Sequence, residues 1–376
     1  MFHIHIPAKE LSYGLNAVIS VVDRKHPRPL LTNIKLESMD DCVVLTASNL
    51  NVTLQATLSA KVIEAGSTSV NAVILADTAR KFHDTIFEIR FLAQTQSLTI
   101  EGDGFRSELS TMGVDGFPSM EPLFEPIGFE VACKDLLATF DQVEHTVPAQ
   151  GLKYNVNGIL LDCTDGVLYA VALDGHRMSI AGCKIAYDGA FKVVLPKAVI
   201  PELIKMCRQS VKDTIQISFD KVMLEACAGA FRLQATLGKA NCPNYRNIIP
   251  STSANCLIIP TTSLVKAIDR VSTLACDTNS AITISLSALE VKVAVYGSMK
   301  GSSYAIISEG FEYTGTEITF GVNPRYLMDV LGVYRGEMVE LHIKSASSAI
   351  LIKIPSHPLS AFVIMPVNLA KGAEAI

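Results

Sequence analysis

The residues best suited to chemistry lie in the segment Asp174-Gly175-His176-Arg177, where a carboxylate and an imidazole stand two positions apart. Such a pair could act as a general acid and base. However, no nucleophile at a fixed spacing accompanies it, and Asp-Gly is also typical of a hairpin turn. The segment therefore predicts either a turn with surface polar groups or part of a binding site, and it supports an enzyme poorly.

Histidine and cysteine offer little sign of a metal or redox centre. His3 and His5 face the same side of a predicted strand, but two ligands do not make a metal site. The nine cysteines are odd in number, widely spaced and without a Cys-x-x-Cys motif, which favours reduced thiols. Neither a Walker sequence nor a dinucleotide-binding glycine pattern occurs. The sequence predicts no cofactor, no metal and no catalysis.

The composition is that of a globular protein, with 376 residues, a net charge of −5 and 49% hydrophobic residues. This length predicts two or three domains. Met1 leads into an alternating strand and not a signal peptide, and no apolar run approaches the ~18 residues of a membrane span. We expect a cytoplasmic protein without membrane contact. Its negative charge indicates that any DNA partner is held by something other than affinity.

A helix-bearing unit recurs three times along the chain. One apolar stripe with i, i+4, i+7, i+11 spacing returns after 125 and then 128 residues. Its members are Leu11, Leu15, Val18, Val22; Leu136, Phe140, Val143, Val147; and Leu264, Ile268, Val271, Ala275. A second set comprises Ile74, Leu75, Ala79, Phe82; Val199, Ile200, Ile204, Cys207; and Tyr326, Leu327, Leu331, Tyr334. A short strand precedes each helix, and period-two segments between them predict antiparallel hairpins.

These repeats predict an α+β protein of three similar domains, each with two helices packed on antiparallel sheet. Clusters of Pro, Gly and Ser place an N-terminal domain at 1–125, a central domain at 126–252 and a C-terminal domain at 253–376. Three like units are half of a six-unit ring that a second copy could close head to tail. An open three-domain repeat fits the periodicity equally well.

The six predicted helical windows carry 13 Lys and Arg against 10 Asp and Glu, so they hold +3 while the remainder of the chain holds −8. These windows are residues 8–25, 72–84, 132–146, 197–209, 262–275 and 323–335. Helices that line a bore would then attract a duplex weakly enough to let it slide. Ordinary surface charge accounts for the same bias.

Several motifs, in this order and at these spacings, resemble the bacterial DNA polymerase III beta subunits, the beta sliding clamps. They are Arg28-Pro29, Leu109–Thr111, Lys153–Ile159, Ala172–Met178, Pro243–Arg246 and Val363–Val367. The resemblance covers about residues 1–369. It implies the DNA clamp fold, a crescent forming half of a homodimeric ring around double-stranded DNA of any sequence, and a non-catalytic processivity factor. The implied partners are the replicative polymerase alpha subunit, the clamp loader and other proteins with clamp-binding motifs.

The resemblance also implies which residues act. A client-peptide pocket between the second and third domains is assigned to Val156, Leu173, Gly175, His176, Arg177, Met178, Pro243, Asn247, Ile248, Ser348, Val363, Ile364, Met365, Pro366, Val367 and Asn368. Arg24, Gln150, Lys153, Tyr154 and Lys197 are assigned to the DNA phosphates, and Leu109 and Leu274 to the dimer interface. A dry site with a few polar groups suits an apolar peptide anchor.

Some positions depart from the family pattern. Asn247 and Asn368 stand where arginine is common, and Ser107 and Thr273 stand at interface positions that are often large and apolar. We expect an altered choice of client and a dimer weakened by a few kcal/mol at most. The alternative function is a divergent paralogue that acts as an interaction hub, binding peptides without supporting processive synthesis.

Overall fold

The structure is a computed structural model that describes residues 2–148, 157–238, 244–274, 281–298 and 301–368. The chain divides into two compact units: unit 1 is Met1–Leu137 with Ala198–Gly238, and unit 2 is Ala138–Lys197 with Lys239–Ile376. The predicted site residues Val156, Pro243, Gln150, Lys153 and Tyr154 lie outside the described residues.

The described residues contain six α-helices, at the six predicted places. They are α1 (Ala8–Val18), α2 (Ala72–Ala79), α3 (Cys133–Asp141), α4 (Ile200–Gln209), α5 (Thr261–Ser272) and α6 (Pro324–Val333). The predicted stripe residues Leu11, Leu15, Leu264 and Ile268 are fully buried. Ile74 was wrongly assigned to the second stripe, because α2 buries Leu75 and the alanines around it and leaves Ile74 51% exposed.

Asparagine fixes the start of two helices, α2 and α6. The Asn71 side chain accepts hydrogen bonds from the backbone amides of Val73 and Ile74, and Asn323 accepts one from Arg325. Each bond satisfies an amide that has no partner inside the helix. No helix within the described ranges is both long and apolar enough to cross a membrane.

The strands of the described residues are short and are numbered in chain order. They are β1 (His3–Pro7), β2 (Asn33–Met39), β3 (Cys42–Ser48), β4 (Val52–Ser59), β5 (Lys61–Glu64), β6 (Gly66–Asn71), β7 (Ile86–Leu92), β8 (Ser97–Gly102), β9 (Phe105–Met112), β10 (Ile127–Ala132), β11 (Gly158–Thr164), β12 (Val167–Leu173), β13 (Arg177–Lys184), β14 (Phe191–Pro196), β15 (Thr214–Phe219), β16 (Met223–Ala228), β17 (Phe231–Thr236), β18 (Cys256–Pro260), β19 (Ile282–Leu286), β20 (Val291–Ser298), β21 (Gly301–Ile307), β22 (Glu312–Thr314), β23 (Ile318–Val322), β24 (Met338–His342), β25 (Ile350–Lys353) and β26 (Ala361–Ile364).

Unit 1 holds one antiparallel sheet of 13 strands in the order β10-β15-β16-β17-β4-β3-β2-β6-β9-β8-β7-β1-β5. The β17–β4 pairing, with Leu233 opposite Leu54, joins strands that lie far apart in sequence. Helix α1 packs closely on β4, since a Cβ added at Gly14 would come within 2.6 Å of the Leu58 side chain.

Helices α1 and α4 also meet in unit 1, through polar groups. The Lys205 ammonium donates to the Ala17 carbonyl at 2.7 Å and to the Ser20 hydroxyl at 2.8 Å, and that hydroxyl donates to Glu202 at 2.8 Å. Burial lowers the pKa of Lys205. One of the positive charges counted toward a DNA-facing bore is therefore used to satisfy the end of α1.

Unit 2 holds a nine-stranded antiparallel sheet in the order β14-β11-β12-β13-β26-β25-β24-β18-β22 and a four-stranded sheet in the order β21-β20-β19-β23. Helices α5 and α6 pack together, with Leu264, Ile268, Leu327 and Leu331 in one core with both sheets. Helices on antiparallel sheet confirm the predicted α+β class. The boundaries near residues 125 and 252 remain a prediction.

Candidate functional site

The candidate client site is centred on the pairing of β13 with β26 in unit 2. Met178 lies opposite Val363, and Arg177 lies opposite Ile364. Beyond β26 the chain stays attached to its neighbours, because the Met365 amide donates to the His176 carbonyl at 2.8 Å. The pairing therefore brings together predicted pocket residues from β13 and β26.

The next residues anchor this chain segment to the second sheet of unit 2. The Val367 amide donates to the Gly321 carbonyl of β23 at 2.9 Å, and the two residues form an isolated antiparallel bridge. Pro366 has no amide hydrogen to place, which suits a segment that leaves the main sheet. Met365 and Asn368 are exposed beside this anchor.

The turn before β13 uses the Asp174 carboxylate as a structural group. Its Oδ1 accepts the backbone amides of His176 and Arg177, both at 3.0 Å, and its Oδ2 accepts Arg177 Nε at 3.0 Å. Gly175 has a φ of +85°, which a residue with a side chain rarely adopts. Since these bonds occupy the carboxylate, the turn interpretation holds and the acid–base pair has no free base.

Arg177 connects the start of β13 to α6. Besides Asp174, its guanidinium donates to Asp329 at 2.6 Å and to the His145 carbonyl at 2.6 Å, and it lies 4.4 Å from the centre of the Tyr326 ring. Only 10% of its side chain is exposed. We interpret Arg177 as a residue that positions the turn, because its donors are already satisfied within the protein.

An apolar cluster lies on the face of the paired strands β13 and β26 that is turned away from the helices. Met178 and Val363 are 3% and 2% exposed and pack with Leu160, Val171, Ile180, Tyr245 and Leu351. The predicted residue Leu173 is half-buried against this cluster. Ile364 lies on the opposite face, 1% exposed in the helix-side core, so it cannot offer its side chain to a docked peptide.

The linker that carries Asn247 and Ile248 is held down by one buried carboxylate. It forms a short 3-10 helix, Tyr245–Ile248, whose Tyr245 hydroxyl donates to Asp162 at 2.9 Å. Burial and this bond raise the pKa of Tyr245 to about 12. Asp162 is 1% exposed and also pairs with Arg246 at 3.3 Å and Lys192 at 3.5 Å.

Sequence reasoning missed Asp162. The available signal was a single charge inside the apolar run Gly158–Thr164, because a lone carboxylate in a fully buried strand needs partners. Its role is to hold the linker in place, so Ile248 and Asn247 remain exposed beside the cluster.

Exposed apolar side chains complete the patch. Met365 is 47% and Ile248 is 42% exposed, and His176 is exposed next to the Tyr326 ring. Ser348 lies in a turn, with its hydroxyl 2.5 Å from that of Ser345. We call Met365, Ile248, Leu173, His176 and the Met178–Val363 pair the client patch.

A cavity of about 370 Å³ continues along the same pair of strands. Ile180 and Ala361, a cross-strand pair, line it together with Tyr169 and Ile249. None of the predicted pocket residues that the structure describes lines this cavity. However, Ile180 lies two residues after Met178 on the same face of β13, and Ala361 lies two residues before Val363 on the same face of β26. The apolar side chains of the client patch are therefore followed directly, on both strands, by side chains that line the cavity.

The remaining predicted residues lie in separate units. Arg24 is exposed after α1 in unit 1, whereas Lys197 in unit 2 donates from Nζ to the Pro148 carbonyl at 2.9 Å. Leu109 is 9% exposed on β9, and Leu274 packs partly buried against the unit 2 core.

Family models match nearly the whole chain in three consecutive segments. The DNA polymerase III beta subunit N-terminal, central and C-terminal domain models match residues 2–121, 130–244 and 246–368. The chain belongs to the DNA polymerase III beta subunit family, the beta sliding clamps. Its fold is accordingly three clamp domains, and the predicted function as a non-catalytic sliding clamp is confirmed.

Full-length relatives agree with this family. The beta sliding clamps of Rickettsia bellii and Pseudomonas aeruginosa are 28% and 26% identical, each over 98% of this chain and 100% of its own length. The crystal structure of the P. aeruginosa subunit matches with a TM-score of 0.91 at 26% identity, over 98% of this chain and 100% of that one. A Caulobacter crescentus clamp matches the fold with a TM-score of 0.92 at 24% identity, over 98% and 99%. These matches favour the clamp role over the interaction hub.

Proposed function

We propose that two copies of this clamp close head to tail around duplex DNA and hold client proteins through the client patch. The observation that carries the ring is a pair of strand edges. β21 is the edge of its sheet, with Tyr304 65% and Ile306 45% exposed. β9 pairs with β6 only at Thr111 and Met112, so its earlier residues are bonded on the β8 side alone among the described strands.

β9 and β21 are two of the unpaired strand edges of this chain, and such a pair allows head-to-tail association. An open strand edge offers unpaired amides and carbonyls to a second chain. Because β9 and β21 are different surfaces, contact between them is heterologous and forms a closed ring when the rotation permits. Leu109 on β9 and Leu274, two residues after the end of α5, then become interface residues, as the family resemblance implies.

For clients, we infer that a short peptide places apolar anchors on Met365, Ile248 and the half-buried Leu173, above the buried Met178–Val363 pair. Burial of one leucine there would contribute about 1.5–3 kcal/mol. Methionine side chains adapt to anchors of different shape. Such binding is exchangeable, as a subunit that serves several proteins requires.

Retention on circular DNA tests the ring. Clamp loaded onto a nicked plasmid by its own loader should remain on the circle during gel filtration and leave when the plasmid is cut once. Linkage, not attraction to phosphate, predicts this release. A clamp that leaves circular and linear DNA at the same rate would contradict the ring, and one that stays on linear DNA would indicate ordinary binding.

A further inference from the structure

Three side chains of types that can ligate a metal ion lie close together in unit 1, and none of them is among the predicted site residues. The candidate ligand atoms of His3, His5 and Glu88 all lie within 4.8 Å of one another. His3 Nε2 is 3.0 Å from Glu88 Oε1, and the two imidazole rings are 5.5 Å apart at 60°. Two imidazole nitrogens and a carboxylate are a ligand set that zinc-class ions prefer.

The sheet register explains why these side chains meet. Phe2, just before β1, and Ile4 and Ile6 of β1 are fully buried, so the alternate residues His3 and His5 face away from the core. β7 runs antiparallel beside β1, with Glu88 directly opposite His5. The third ligand therefore comes from a strand more than 80 positions away, and it cannot be seen in the sequence near the histidines.

The charges around the cluster are compatible with a bound cation. Glu88 supplies the one carboxylate among the three candidate ligands. On the other side of β1, Glu64 lies opposite His3 and Lys61 opposite His5. Arg90 pairs with Glu88 and is the group that an incoming ion must displace from one carboxylate oxygen.

We propose that His3, His5 and Glu88 bind one divalent zinc-class ion on the solvent-facing side of β1 and β7. Ligand bonds of about 2.0–2.2 Å bring ligand atoms to roughly 3–3.5 Å apart, so the widest pair must close by less than about 2 Å. All three side chains are partly exposed, which lets them rotate and leaves a position open to water. The ion would link β1, which carries both histidines, to β7, which carries Glu88.

Calorimetric titration of the full-length chain with ZnCl2, with thiols kept reduced by a phosphine, tests this site. Because the cysteines could also take zinc, the readout is the difference between variants. We expect the His3→Ala/His5→Ala variant to bind one zinc ion fewer than the unchanged protein. We expect Glu88→Gln to lower the affinity for that ion by more than about ten-fold. His83→Ala, which removes an exposed histidine from the same unit, should bind as the unchanged protein does.

Equal stoichiometry and affinity in the unchanged protein and the double variant would overturn the proposal. Circular dichroism without metal should show that all variants fold. If the double variant does not fold, the near-isosteric Glu88→Gln protein decides: unchanged zinc affinity rejects the site, and a loss above ten-fold supports it.

Discussion

At the scale of single residues, Met365 is the side chain of the client patch best placed to meet a peptide. It is 47% exposed, while its backbone is fixed by the hydrogen bond to His176. Met365→Ala should weaken the binding of a labelled peptide with leucine and phenylalanine anchors, because apolar contact is lost. The expected loss is about 1–2 kcal/mol of binding free energy, roughly ten-fold in affinity. Fluorescence polarisation measures this change.

Met338 supplies the matched control for that measurement. It is a methionine of the same unit, 42% exposed on β24 and outside the client patch. Met338→Ala should leave the affinity unchanged. An equal loss in both variants would mean that the peptide does not choose the proposed patch.

Because of His145, we predict that the stability of the protein depends on pH. Burial, and then the charge of Arg177, lower the pKa of His145 to about 4, whereas a histidine in the unfolded chain titrates near 6.5. Between these values the unfolded state binds more protons, so the free energy of unfolding falls as the pH drops from about 6.5 to about 4. The loss is at most about 3 kcal/mol.

Urea unfolding of the unchanged protein and His145→Gln at pH 7, 6 and 5 measures this contribution. The Nδ1 atom of His145 is buried and has no hydrogen-bond partner among the described atoms, so glutamine removes titration without breaking a bond to that atom. The unchanged protein should lose stability relative to the variant as the pH falls. A constant difference across the three pH values would refute the prediction.

At the scale of elements, the link between β13 and α6 depends on Arg177. Arg177→Met leaves the Asp174 and Asp329 carboxylates without their shared partner, 15% and 31% exposed. Removal of one partner from a mostly buried ion pair should cost about 2–3 kcal/mol of apparent unfolding free energy. It should also weaken peptide binding, because the turn at Gly175 loses its tether.

Arg90→Met is the comparison for that variant, since Arg90 pairs with Glu88 at an exposed site where its side chain is 50% accessible. Exposed pairs contribute little, so its unfolding curve should barely move. Similar losses for the two variants would show that Arg177 acts only as a surface charge.

The sequence predicted the six helices because their apolar stripes are local and long. It misplaced Ile74, since α2 spans only eight residues and two neighbouring apolar positions compete for one buried face. It could not predict that β17 pairs with β4 or that β13 pairs with β26. Pairing between distant strands depends on register across the fold, which local periodicity does not encode. Asp162 was missed for the same reason, because its partners come from other segments.

At the scale of the whole molecule, the edge strand β21 should decide assembly. Leu109 is nearly buried within its own chain, so Leu109→Ala would disturb the protomer as well as the interface. Ile306→Lys is cleaner, since Ile306 is 45% exposed and lysine on an edge strand opposes pairing with another edge. Sedimentation should show dimer dissociation at concentrations at least about ten-fold higher than for the unchanged protein.

Leu289→Lys adds the same charge to the same sheet at a turn residue that is 84% exposed. Its dimer should match the unchanged one. A dimer of the unchanged protein that persists at picomolar concentration would rule out the weakening expected from Ser107 and Thr273.

The two long sheets have a consequence for attempts to cut this protein into pieces. A fragment made from residues 126–252 alone would keep β13 and β17 but lose β26 and β4, the strands that cover them. Both freshly exposed borders would then recruit other copies of the fragment, and the preparation should precipitate or form filaments. Excised single domains are thus poor stand-ins for the intact chain in any inhibitor screen or binding assay.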